Sequence, residues 1–197
     1  MALTSLLWLF LGFIVAFSFW YIVLGSNQLL RAQVETFCMI NKPDNFNDCI
    51  VQHGIKEISK TNSFITAQEK LLRIFSNNVY VLIFTLIFSL IWGAGAIFVL
   101  AWNASVIAAA IGIFSKADIT TIPFGILRYM IHGMPEIAAY FIGALAGGII
   151  SIAVIKHDTK TEKFWNILQD SFYLIVISIL ILIVAALIEV FITPAIF

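Results

Sequence analysis

Charge is what this chain has least of. Asp, Glu, Lys and Arg make up 11% of its 197 residues, where a soluble domain carries about a quarter. Eleven basic and eleven acidic side chains cancel, leaving no basic surplus to hold nucleic acid and no acidic surplus typical of a solvating tail. The sequence also has no Walker loop, nucleophile elbow, Cys-x-x-Cys or dinucleotide fingerprint. It shows no repeat of 20–50 residues and no low-complexity stretch. These absences exclude a soluble enzyme, a disordered protein and a nucleic-acid binder. Hydrophobic residues are 61% of the chain and the mean hydropathy is +1.03. That composition belongs to an integral membrane protein whose first partner is the lipid bilayer.

A crossing helix needs about 20 apolar residues for roughly 30 Å of hydrocarbon. Ser5 to Leu24 is uncharged, with Trp8, Trp20 and Tyr21 near its ends. No basic residue precedes it and its apolar stretch is too long for a cleaved signal, so it reads as a retained anchor over residues 1–24. Val79–Trp102, Pro135–Ile155 and Phe172–Ile192 are further clear spans. Between them, Asn103 interrupts one run and starts a short one, Asn103–Phe114; Ile122–Ile131, with Pro123, Gly125 and Arg128, is another short piece. Each is too short to cross comfortably. One is a short crossing, or the two form a re-entrant hairpin.

Cys38 and Cys49 are the only cysteines, and both lie in the polar segment of residues 25–77. Such a pair most simply forms a disulfide, placing the segment outside the cytoplasm; two unpaired cytoplasmic thiols are the alternative. Three lysines in Lys156–Lys163 mark a cytoplasmic loop. An odd number of crossings must then separate the two, so Asn103–Phe114 crosses. The expectation is an all-α polytopic membrane protein with about five transmembrane helices, including short or re-entrant central ones. The N-terminus is cytoplasmic; residues 25–77 and the C-terminus are extracytoplasmic. Counting Lys and Arg alone opposes this, since residues 25–77 hold six of them.

Residues 25–77 are expected to carry two or three short helices on the outer surface, and residues 78–197 to form a multispan membrane domain. Lys42-Pro43-Asp44 marks a turn, Phe46, Ile50, His53, Ile55 and Ile58 are loosely amphipathic, and Thr66 with Glu69 makes a capping box before Leu71, Leu72 and Phe75. The segment is either a self-packed cap or a surface for the headgroup layer or a partner.

Ionisable groups inside spans are costly, so each is a candidate site. His132 and Glu136 stand four apart, with Pro135 placed as a first-turn residue that would set Glu136 at a helix start. The pair can bond to one another, share a cation or pass a proton; two ligands alone make no zinc site. Glu189, in the last span, can reach water or face the bundle, where Asn77, Asn78, Asn103 or Arg128 could pair with it. Gly93 and Gly95, and Gly143, Gly147 and Gly148 with Ala139, are small-residue faces for internal packing or, alternatively, a dimer seam.

Taken together, Asn77-Asn78 opening a span, Gly93-x-Gly95, Asn103, the run His132-Gly133-Met134-Pro135-Glu136-Ile137-Ala138-Ala139 with its glycine stripe, and Glu189-Val190-Phe191-Ile192-Thr193-Pro194 resemble the stage II sporulation protein M family. The likeness covers residues 75–197; the first span and outer segment match in layout only. Many members have Asn-Gly where this chain has Asn103-Ala104. The resemblance implies a non-enzymatic membrane scaffold in the cell envelope, without cofactor, that works with extracytoplasmic or membrane partners. The rival expectation is an ion- or proton-coupled transporter or channel-like protein using His132, Glu136 and Glu189.

Overall fold

A computed structural model of the chain describes residues 2–24, 30–41, 45–52, 66–117, 122–156 and 161–196. Among them all regular structure is helical: α1 (Ala2–Leu24), α2 (Arg31–Asn41), α3 (Phe46–Gln52), α4 (Ala67–Trp92), α5 (Gly95–Ala117), α6 (Ile122–Ile155) and α7 (Glu162–Leu187). A π turn, Ile188–Ile192, then leads into a last short helix, α8 (Thr193–Ile196). Three stretches are long and apolar enough to cross a membrane: Ala67–Ile91, Tyr129–Ile155 and Glu162–Ile196. Two shorter apolar stretches, Trp8–Tyr21 and Gly95–Ala109, accompany them. This is the make-up of a helical membrane protein.

Two expected breaks are corrected. Asn103 does not end a helix; it is buried inside α5, which is 23 residues long. The break falls at Gly93, whose φ of +66° suits a residue without Cβ. Its N–H donates to Ser89 O at 3.0 Å, and the Ala94 N–H to Phe88 O at 3.3 Å, closing the end of α4. Likewise Ile122–Ile131 and Pro135–Ile155 are one helix of 34 residues, with Pro135 inside it. Proline removes a single ladder bond there and the helix carries on, so Glu136 is an interior residue and not a helix start.

The Thr66 capping box also has a different role from the expected surface helix. Thr66 N–H donates to Glu69 Oε2 at 2.9 Å, and Glu69 N–H to Thr66 Oγ1 at 3.2 Å. That reciprocal pair starts α4 itself, so residues 66–75 lead straight into an apolar helix. The expected turn at Lys42-Pro43-Asp44 and the residues His53, Ile55 and Ile58 lie outside the described residues.

The chain divides into two compact units, residues 1–70 with 101–130, and residues 71–100 with 131–197. The core of the first gathers Tyr21 of α1, Val34 and Cys38 of α2, Cys49 and Ile50 of α3, and Ala108 and Ala109 of α5. Cys38 and Cys49 are disulfide-bonded, with their Cα atoms 5.8 Å apart. Gln33 Nε2 on α2 donates to Ser105 Oγ on α5 at 2.9 Å, and that hydroxyl donates in turn to Trp102 O at 2.7 Å. The short helices α2 and α3 are thus fastened to the end of α1 and the second half of α5.

The second unit is held by close backbone approach. Ser89 Oγ of α4 donates to the Ala144 carbonyl of α6. A Cβ added at Gly147 would lie 2.9 Å from Ser89 Cβ and 3.0 Å from Leu86 O; one at Gly95 would lie 2.5 Å from Thr85 O. Gly143 lies against Leu82 and Ser178. On α7, Ser171, Ser178 and Ala185 are buried at heptad spacing, so small residues line that helix too. Phe88 stacks on Phe98 with centroids 4.8 Å apart, closing the α4–α5 turn. These pairings make α4 and α6 parallel.

Candidate functional site

The second unit holds a polar cluster built by three helical segments. Asn78 on α4 is buried, and its Nδ2 donates to Glu136 Oε1 on α6 at 2.5 Å. Asn78, Thr85 and Ser89 lie seven and four residues apart, so one buried polar face runs along α4. Thr85 and Ser89 direct their hydroxyls to the carbonyls of Val81 and Ala144, leaving Asn78 as the residue that meets the carboxyl group.

On α6, His132, Glu136 and Tyr140 follow one another at i, i+4 and i+8 and so share a stripe. His132 and Tyr140 are buried and Glu136 is half-buried. Glu189 supplies the third segment. Glu189 lies near enough to Glu136 and Tyr140 for the three side chains to form one electrostatic neighbourhood.

The backbone at Glu189 is unusual. Pro194 has no N–H to give the Val190 carbonyl, and the Thr193 N–H bonds instead to Ile188 O, five residues back. Thr193 Oγ1 donates to the same carbonyl at 3.2 Å. The widened turn of Ile188–Ile192 carries Glu189, and such π turns are frequent at functional sites.

The predicted site residues therefore separate. Asn78, Glu136, Glu189 and His132 belong to the second unit, whereas Asn103 and Arg128 belong to the first. Asn77 is exposed beside the buried Asn78, and the side chain of Arg128 lies outside the described residues. Gly143 and Gly147 pack inside the second unit, while Gly148 has only ordinary contact with Ser89 Oγ at 3.6 Å. Sequence reading missed Tyr140, Thr85, Ser89, Gln33 and Ser105. The first was signalled by its i+4 spacing from Glu136; Thr85 and Ser89 were signalled by theirs from Asn78. Gln33 and Ser105 carried no local signal, being 72 residues apart.

In an apolar bundle these groups can hold helices together by hydrogen bonds, or exchange a proton or cation between two carboxyl groups. Among the described residues no group of three or more His, Cys, Asp and Glu side chains is set to hold a metal ion.

Comparison with known proteins fits the layout. An uncharacterized protein of Methanocaldococcus jannaschii is 31% identical over 165 residues, covering 81% of this chain and 86% of that protein. No solved structure matches. The model of the stage II sporulation protein M family matches residues 5–194, nearly the whole chain, first helix and short helices included. The chain belongs to the stage II sporulation protein M family.

Proposed function

We propose that this protein is a non-enzymatic scaffold of the cell envelope, crossing the membrane five times and presenting residues 25–77 outside as a platform for protein partners. The observation that carries the reading is the packing of α2 and α3 into one core with Tyr21, Ala108 and Ala109. A mere linker between spans would bury no such core.

The five crossings rest on direction. Asn78 meets Glu136, Leu82 lies against Gly143, and Ser89 bonds Ala144, so α4 and α6 run the same way. The chain must return between them, and among the described residues α5 is the only helix between the two. Its 23 residues rise about 35 Å, enough for roughly 30 Å of hydrocarbon. The shared core supports the same assignment, because Ala108 and Ala109 set the second half of α5 against α2 and α3.

A second reading, an ion- or proton-coupled transporter, is favoured by the Asn78–Glu136 bond and the nearness of Glu189 to Glu136. Paired variants separate the two. The scaffold predicts that His132→Ala and Glu136→Gln capture the same envelope protein as the wild type, and that deletion of Asn41–Lys60 loses it. Flux in proteoliposomes abolished by His132→Ala and Glu136→Gln, with the fold intact, would establish transport instead.

A further inference from the structure

The disulfide does more than tie two short helices. Cys38 is 0% and Cys49 2% exposed, inside a core that also takes Tyr21 from α1 and Ala108 and Ala109 from α5. Helices of 11 and 7 residues are below the length, about 12–15 residues, at which an isolated helix holds in water. Each needs the core to persist.

We propose that the Cys38–Cys49 bond is an assembly lock, formed once during folding to close α2 and α3 onto α1 and α5, and then shielded from reductant by the core it completes. The proposal rests on the extracytoplasmic placement of residues 25–77. Formation is thiol–disulfide exchange with a disulfide donor. One cysteine thiolate attacks the donor and makes a mixed disulfide. The second cysteine then displaces the donor sulfur, and the donor leaves as its dithiol. Two electrons pass from the two cysteine sulfurs to the donor, and the two thiol protons end on the donor's sulfurs.

Reversal needs an outside thiolate to approach one of these sulfurs, and burial denies that approach while the core is closed. The bond therefore reports that the platform has been assembled, and it is insensitive to later swings in the surrounding redox poise. A chain left in a reducing compartment has no way to close this core.

The test uses the full-length protein in detergent micelles. Dithiothreitol is added in native buffer or in denaturant, and freed thiols are counted by the gel shift of a maleimide–polyethylene glycol. The lock predicts native reduction about 100-fold slower than in denaturant, since opening must come first. Equal rates would overturn it. In a second arm, trypsin cleavage at Arg31, an exposed residue of α2, is compared between wild type and the Cys38→Ser/Cys49→Ser variant. The lock predicts protection in the wild type and rapid cleavage in the variant, and equal protection in both would overturn it. The first arm needs only the wild-type chain, so a variant that fails to accumulate does not blunt the test. Orientation is read separately, from the side on which Gln68→Cys is labelled by an impermeant maleimide. A misplaced platform and an unshielded bond thus give different results.

Discussion

Asn78 and Glu136, 58 positions apart in sequence, are joined by a 2.5 Å hydrogen bond from the amide Nδ2 to the carboxyl Oε1, and this bond couples α4 to α6. Removing the amide leaves a half-buried carboxyl group without its donor. Asn78→Ala is expected to cost about 1–3 kcal/mol. Because glutamine keeps the accepting oxygen, Glu136→Gln is expected to retain most of the stability. A double-mutant cycle of Asn78→Ala with Glu136→Ala, which removes the acceptor, checks this by thermal unfolding in detergent: coupling near zero would show that the contact contributes nothing.

The glycines of the second unit should differ sharply in tolerance. Gly147→Ala places its methyl 2.9 Å from Ser89 Cβ and 3.0 Å from a backbone carbonyl, so it is expected to cost about 1–3 kcal/mol. Gly148→Ala and Gly133→Ala meet ordinary contact or open space and should change stability by less than about 1 kcal/mol. Gly93→Ala meets no neighbour, but its φ of +66° makes the substitution strained by about 1–2 kcal/mol. Thermal unfolding of the four variants gives the ranking directly.

Much of the architecture was legible in the apolar runs, but its breaks were not. Asn103 looked like an end because a polar residue interrupts an uncharged stretch. A helix tolerates a buried amide whose groups are satisfied, and it stops where the backbone must turn, here at Gly93. Pro135 misled in the same way, because loss of one ladder bond does not stop a helix that neighbours support on both sides. Local pattern did reveal His132, Glu136 and Asn78 as residues worth watching. It could not reveal that Asn78 meets Glu136, since that contact depends on α4 and α6 running parallel.

The fastening of α2 to α5 should be measurable at one bond. Gln33→Ala removes the donor to Ser105 Oγ and is expected to lower the stability of the outer element by about 1 kcal/mol. Ser105→Ala loses that acceptor and the bond to Trp102 O together, so it should cost at least as much. Faster trypsin cleavage at Arg31 is the expected readout in both variants, and unchanged cleavage would remove this bond from the account.

Thr66→Ala should act only at the start of α4. The capping pair with Glu69 is lost, at about 0.5–2 kcal/mol for the first turn. Hydrogen exchange is expected to accelerate at residues 67–70, with no change around Ser89. Acceleration spreading to Ser89 would mean that the cap supports the whole helix.

The central claim is that three helices, α4, α5 and α6, cross the membrane between the outer segment and the loop before α7. Single cysteines at two exposed positions, Gln68→Cys and Lys163→Cys, test it in intact cells with a membrane-impermeant maleimide, the native cysteines staying bonded. The account predicts that Gln68→Cys labels directly and that Lys163→Cys labels only after permeabilisation. Labelling of both from the same side would contradict it, because α5 would then not cross.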